Sequence, residues 1–423
     1  MKLIEMNREQ LSEFKKKVQS DYDEFKSRGL SLDMSRGKPC AEQLDLSMPL
    51  LNALVSDSDI KDGAGTDCRN YGILDGIKEA KELFAEILGV KPEEVIVGGN
   101  SSLSLMYDTL MRLMVFGTLG NTPWCKEEKI KFLCPAPGYD RHFAITEKLG
   151  MELVTVPMTK DGPDMDIVEK LVADKTVKGI WCVPMYSNPE GTTYSDETVK
   201  RLASMKTAAP DFRIFWDNAY CIHHLSDTPD VLLNIMDECR KNGTEDRVYM
   251  FTSTSKVSFS GAGVSAMAAS EKNIADIKKT LTVQTIGYDK MNQLRHIRFF
   301  KDFDGVKAHM KKHAEILAPR FKAVLDALEK EIAPLGIGEW NSPNGGYFIS
   351  FNTMDGCAKR VVELCKEAGV VLTGAGATFP YGKDPADRNI RIAPTYPSVD
   401  ELEKAVELFC ICVKLASAEK LLG

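Results

Sequence analysis

Lys256 stands in the stretch Phe251-Thr252-Ser253-Thr254-Ser255-Lys256-Val257-Ser258, where a short apolar run gives way to hydroxyl residues, one lysine and, at Gly261-Ala262-Gly263, small residues. A lysine can bond covalently to a carbonyl cofactor only if it is partly desolvated and its free amine is accessible, which lowers its pKa from the reference near ~10.4. Lys256 is therefore a candidate aldehyde-binding amine. Ser253, three positions upstream, can offer a hydroxyl to a cofactor phosphate on the same side. Most lysines that follow a strand are surface cations, so the weight of this reading rests on what the rest of the chain supplies.

A second candidate lies at Glu94-Val95-Ile96-Val97-Gly98-Gly99-Asn100-Ser101-Ser102, a strand that stops at two glycines and passes into a helix with apolar residues at Leu103, Met106, Leu110 and Leu113. Asn100 or Ser101 is a good N-cap. Free N–H groups and the positive end of the dipole make such a helix start a phosphate site, although ordinary capping has the same signature. The glycine spacings of dinucleotide-binding and nucleotide-hydrolysing loops are missing, which disfavours a nicotinamide enzyme.

The elements that must position these groups alternate along the chain. Apolar runs at residues 130–134, 152–156, 179–184, 212–216 and 247–251 read as strands, with helical patterns between them. Continuous apolar strands separated by helices predict an α/β fold with a mostly parallel sheet covered on both faces. Ligands of such sheets lie beyond the carboxyl ends of the strands. Tyr139, Asn188, Asp217, Tyr220 and Lys256 all fall just past such ends, so the fold would converge them on one crevice. Residues 1 to about 30 read as a charged amphipathic helix, and Leu32-Asp33-Met34-Ser35-Arg36-Gly37 as a short extended piece in which Gly37 lets backbone approach a ligand. Tyr71 sits in the loop before the helical pattern that begins at Ile77. From about residue 300 the chain turns to a long helix over 309–331, strands near 345–351 and 389–393, and a last helix opened by the capping box Ser398-Val399-Asp400-Glu401, which buries Leu402, Val406, Phe409 and Val413.

A chain of 423 residues is too long for one ordinary core, so two domains are expected. The balance of 54 basic against 61 acidic residues, net −7, argues against a general nucleic-acid or anionic-membrane binder. The N-terminal residues carry charges where a signal peptide needs an apolar core, and no apolar run approaches membrane-spanning length, so the expected location is cytoplasmic. The eleven cysteines and six histidines show no metal-ligand or disulfide spacing and are read as packing or surface residues.

Taken in order, Asn100-Ser101-Ser102, Pro137-Gly138-Tyr139, Asn188-Pro189-Glu190-Gly191, Asp217-Asn218-Ala219-Tyr220, Ser253-Thr254-Ser255-Lys256 and Arg391 resemble the fold-type I pyridoxal-phosphate aminotransferases, and the likeness spans nearly the whole chain. Ser35-Arg36-Gly37-Lys38-Pro39, Arg69-Asn70-Tyr71-Gly72 and the segment 287–296 are similar to the aspartate aminotransferase subgroup sometimes called Ic, related to the catalytic half of MocR-type regulators. The resemblance implies a large cofactor domain over 46–300, a small α+β domain over 301–423, and an N-terminal helix and arm over 1–45 joining the latter. It also implies pyridoxal 5′-phosphate as cofactor. Asp217 would oppose the ring nitrogen, Tyr220 and Asn188 the ring's phenolic oxygen, and Tyr139 a ring face. Asn100, Ser101, Ser102 and Ser253 would hold the phosphate, with Tyr71 reaching it from the second subunit of a homodimer. Lys256 would carry the cofactor and then move a proton, while Arg391 would take the substrate α-carboxylate with Gly37 closing its other side.

The family has an arginine about eight residues beyond its lysine, paired with the phosphate, and here Gly263-Val264-Ser265 stands there instead. The phosphate is then expected to lean on the helix start and the hydroxyls. Aspartate as amino donor, with 2-oxoglutarate as acceptor, would need a second cation for the distal carboxylate, and Lys290, Arg295 and Arg298 are the candidates. A broad or aromatic specificity, or a C–S/β-lyase working through the same residues, are the alternatives. A non-catalytic effector-sensing module is disfavoured, because no basic DNA-binding domain precedes residue 30.

Overall fold

The computed structural model describes residues 2–56 and 59–423. Its centre is a sheet whose strands lie in the order Val95–Val97, Ser265–Ala268, Val248–Ser253, Arg213–Asp217, Val177–Cys182, Lys131–Ala136, Glu152–Thr159 and Gly162–Pro163. The five strands from Val248–Ser253 to Glu152–Thr159 run parallel, as the apolar runs predicted. Their period-two alternation feeds two cores. Ile214, Trp216, Ile180 and Met250 pack into one, while Phe215, Trp181 and Phe251 pack into the other. Both faces of the central strands are thus buried, and their interiors are mostly apolar.

The strand Ser265–Ala268 carries no strand pattern in the sequence. Ser265–Ala268 runs antiparallel between Val95–Val97 and Val248–Ser253. Its small residues lack the branched, bulky pattern that marks a strand, and burial on both sides supplies what propensity does not.

Helices placed by periodicity match closely, with Lys78–Leu88, Ser102–Phe116 and Val399–Leu422 all present. Ser398 and Glu401 form the expected capping box, and Leu402, Val406, Phe409 and Val413 are buried. The long helix begins six residues earlier than expected and covers Phe303–Glu331, because the Asp302 side chain caps it by accepting from the Gly305 N–H. Two further helices, Glu271–Gln284 and Lys290–Phe300, are capped in the same manner by Ser270 and Asp289. The second is no solvated face: Lys290, Asn292, Gln293 and His296 are all buried on it.

A separate core draws on both ends of the chain. Leu11, Val18 and Phe25 of the helix Arg8–Ser27 pack with Phe321, Val361, Ile390 and Phe409, and the Tyr22 hydroxyl donates to the Leu364 carbonyl. The pair Leu32–Asp33 and Val370–Val371 adds a parallel link between the same regions. A three-stranded antiparallel sheet of Gly338–Trp340, Ile349–Thr353 and Asn389–Ile392 completes this part. No helix among the described residues is long and apolar enough to cross a membrane.

Candidate active site

A cleft of about 560 Å³ opens at the carboxyl ends of the parallel strands, between the large sheet and the core built from the chain ends. Ser101, Ser102, Tyr139, Asn188, Asp217, Tyr220, Ser253, Lys256, Gly37 and Arg391 all line it. Two expected residues do not. The Asn100 side chain is exposed, and what reaches the site is its backbone carbonyl, which accepts from the Ser255 hydroxyl at 3.0 Å. Tyr71 is 81% exposed on a surface loop of its own chain.

Lys256 sits in a tight turn closed by Val257 N–H and Ser258 N–H, which both donate to the Thr254 carbonyl. Its amine lies 5.1 Å from the centre of the Tyr220 ring and 5.8 Å from that of Tyr347. Burial lowers its pKa, and the Asp217 carboxylate pulls in the other direction. The two groups thus share one pocket and feel each other's charge. Behind the turn, His309 Nε2 contacts the Val257 carbonyl at 2.9 Å, Tyr347 donates to the Lys256 carbonyl at 3.4 Å, and His296 Nε2 meets the Ser258 hydroxyl at 2.8 Å. Burial holds these histidines neutral, His296 down to about 4. They are structural clamps that no spacing in the sequence announces.

Asp217 closes the strand Arg213–Asp217 and is buried. Its Oδ2 lies 3.0 Å from His142 Nε2, whereas Oδ1 is buried without a partner. Such an orphaned acceptor costs about 1–3 kcal/mol unless a donor completes it. His142 was not singled out in the sequence. Its ring stacks on Trp181 at 4.1 Å and meets the Tyr139 ring edge-on at 4.9 Å, so three aromatic residues orient one carboxylate. Burial pushes the Tyr139 phenol up to about 12 and the Tyr220 phenol well above its ordinary value.

The start of the helix Ser102–Phe116 makes the second pole. Ser101 holds the cap position, but its hydroxyl makes no capping bond, which leaves first-turn N–H groups facing the cleft. Opposite, the Ser253 hydroxyl donates to the Ser255 hydroxyl at 3.1 Å. Where the resemblance would place an arginine, Val264 is buried in the sheet core and Gly263 packs against Thr254 and Ser255. A Cβ at Gly263 would stand 3.0 Å from Thr254 Oγ1 and 3.2 Å from the Ser255 nitrogen. No room is left there for a long cation.

Arg391 forms the third pole. It donates to Asp140 Oδ1 at 3.1 Å, Asn188 Oδ1 at 3.2 Å and Thr373 Oγ1 at 3.4 Å, and lies 4.9 Å over the Phe348 ring. A Cβ at Gly37 would run into that same Phe348 ring, so the backbone there can approach only as glycine. The three cations suggested for a distal carboxylate are elsewhere. Lys290 donates to the Gly72 carbonyl, Arg295 to Asn292 and Arg298 to the carbonyls of Asp59 and Lys61, and none lines the cleft. The lining instead includes Arg36 and Arg141, neither of which makes an ion pair among the described residues.

Residues 6–423 match the family model described as aspartate amino-transferase. The chain belongs to that family. It is 49% identical over 408 residues to a putative aminotransferase of Mycolicibacterium smegmatis, spanning 96% of this chain and 95% of the relative. It is 47% identical over 418 residues to an aspartate aminotransferase of Corynebacterium glutamicum, spanning 99% and 96%. The crystal structure of an aspartate transaminase from that organism superposes with a TM-score of 0.97 at 46% identity, covering 100% of this chain and 99% of the other.

The chain is thus an aminotransferase of fold type I, and its cofactor is pyridoxal 5′-phosphate. The residues of the aminotransferase cleft fit that molecule. The unpartnered Asp217 Oδ1 suits an N–H⁺ donor, the helix start with the hydroxyls of Ser101, Ser253 and Ser255 suits a phosphate, and Lys256 lines the same cleft.

Proposed function

We propose that the chain moves the amino group of aspartate to 2-oxoglutarate, and that Arg36 and Arg141 read the carboxylate at the far end of these substrates. The observation that carries this reading is the imbalance of charge in the cleft. Arg391 is already met by Asp140, whereas Arg36 and Arg141 bring two guanidinium groups with no carboxylate facing them. A substrate with two carboxylates supplies what is missing, and guanidinium forks bind carboxylates in two parallel bonds. The likeness to the Corynebacterium glutamicum enzyme supports the same substrate.

Within this reading the residues divide the work. Pyridoxal 5′-phosphate supplies an electron-accepting ring that makes the substrate α-proton acidic. Asp217, oriented by His142, keeps the ring nitrogen protonated, and Tyr220 and Asn188 face the phenolic oxygen. Tyr139 covers a ring face. Ser101, Ser102, Ser253 and Ser255 hold the phosphate, Asn100 contributes its carbonyl to the Ser255 hydroxyl, and Tyr71 reaches the phosphate of the partner subunit in a homodimer. Arg391 and Gly37 orient the α-carboxylate so that the C–H bond faces Lys256, whose lowered pKa leaves its amine free to take and return the proton. The 1–45, 46–300 and 301–423 division and a cytoplasmic location belong to the same proposal.

The test mixes the purified holoenzyme with single amino acids and records which of them bleach the cofactor absorbance. Aspartate and glutamate should do so at concentrations about tenfold or more below alanine or phenylalanine, since a second charge-assisted pair contributes about 1.5–3 kcal/mol. R36Q and R141Q should each raise KM for aspartate far more than for alanine. Equal response to all amino acids would refute the aspartate reading, and pyruvate released with ammonia in the absence of any 2-oxo acid would favour a lyase.

A further inference from the structure

We propose that Asp140 is a built-in stand-in for the substrate α-carboxylate, which holds Arg391 until a substrate displaces it. The proposal rests on the reading of Arg391 as the α-carboxylate reader. Arg391 is only 8% exposed. A guanidinium at that depth cannot stand unpaired without a large desolvation cost, so something must answer its charge when no substrate is bound. Its three acceptors are Asp140 Oδ1, Asn188 Oδ1 and Thr373 Oγ1, and only the first is charged.

The Asp140 contact is serviceable but poor. It reaches a single nitrogen, Nη1, which is shared with Asn188, while Nε stays buried with no partner at all. A free carboxylate entering the cleft can use two nitrogens of the fork at once, which the side chain of Asp140, tethered at the first position of the helix Asp140–Lys148, does not do. The incoming group therefore makes the better pair and takes the arginine over. Asp140 is about one-third exposed at its side chain, so its charge has solvent to turn to.

The arrangement has a kinetic signature. The free energy of parting Asp140 from Arg391 is subtracted from the binding of every substrate that carries an α-carboxylate, whether or not it has a second one. Such a cost is uniform between ground and transition state, so it sits in KM rather than kcat. Arg36 and Arg141, by contrast, act only on the second carboxylate. A residue that merely props Arg391 in place would behave in the opposite sense, because its loss would loosen binding.

The experiment uses the holoenzyme with propionate and succinate as competitive inhibitors, neither of which has an amino group, and aspartate and alanine as substrates. D140N keeps the size and the Oδ1 acceptor but removes the charge. The expected result is a fall in both inhibition constants and both KM values by a similar factor of about three to ten, larger than any change in kcat. Unchanged or raised constants in D140N would overturn the proposal. R391Q separates this failure from that of the underlying reading. If R391Q weakens propionate binding while D140N fails to tighten it, the stand-in role alone falls; if R391Q leaves propionate binding as it was, the assignment of Arg391 falls as well.

Discussion

His142 Nε2 lies 3.0 Å from Asp217 Oδ2, and the imidazole lies flat on Trp181 with an interplanar angle of 5°. The stack fixes the ring, the ring fixes the carboxylate plane, and Oδ1 of this cleft-lining residue is left without a partner. D217N should lower kcat by about 10²–10⁴-fold, the range of a lost acid–base partner, while the protein still takes up cofactor. H142F keeps the stack but loses the nitrogen. It should cost about ten- to a hundredfold in the rate of cofactor bleaching by aspartate, the scale of a hydrogen bond to a charged group. Single-turnover absorbance measures both, and an H142F rate equal to wild type would show that the imidazole does not orient Asp217.

Lys256 and Asp217 are coupled through charge: burial lowers the lysine pKa and the carboxylate raises it. Removing the carboxylate in D217N should therefore lower the amine pKa further, so that more of the apoenzyme holds a free amine at neutral pH. The pH midpoint for reductive trapping of the cofactor aldehyde by borohydride should move down in D217N relative to wild type. K256A should trap nothing. A midpoint that moves up in D217N would mean that the two groups do not interact in the sense the structure implies.

How much of this was legible beforehand follows the physics of each element. The parallel strands were readable because burial on both faces demands unbroken apolar runs, and the residues past their ends were readable because sheet topology gathers them. Ser265–Ala268 was hidden, since Ser265, Ala266 and Ala268 carry no strand signature and pair only because Gly98 and Thr252 backbones flank them. Ser255 lies inside the Ser253–Lys256 motif and His142 three residues past Tyr139, but their contacts depend on a stacked indole and a carbonyl 155 residues away. The three cations suggested for a distal carboxylate lie off the cleft for a similar reason. A charged run at 290–298 looks like a surface, yet Lys290 is buried against the Gly72 carbonyl, whereas Arg36 and Arg141 come from loop and helix starts that only the tertiary fold brings to one opening.

If the phosphate sits at the helix start as proposed, with Gly263 and Val264 where the resemblance would place an arginine, the hydroxyls and N–H groups there carry the load. Replacing Ser101, Ser253 or Ser255 by alanine should each weaken cofactor binding by about three- to tenfold, the worth of one hydrogen bond. The triple variant should lose considerably more, as the Ser253–Ser255–Asn100 chain is broken at each link. Equilibrium dialysis or the absorbance of bound cofactor reads the constants. Unchanged affinity in S101A/S253A would mean that a cation from elsewhere supplies the charge.

The clamps behind the lysine turn should make the enzyme sensitive to acid. His296 is buried against Ser258 and Thr254, and His313 against Gln43 and His309. Burial lowers their pKa values to about 4 and about 3, against ~6.5 in an unfolded chain. Between these limits the unfolded state binds more protons than the folded one, so stability falls as the pH drops from about 6.5 towards 4. Each histidine then removes ~2 kcal/mol at pH 5 relative to pH 7. Carboxylates titrate in the same range, so the informative quantity is a difference: H296Q should lose less stability than wild type between pH 7 and pH 5, by that ~2 kcal/mol, in urea unfolding of the same cofactor-loaded form. Equal losses in the two proteins would mean that His296 is not held neutral in the folded state, and that its contact with Ser258 does not depend on an uncharged ring.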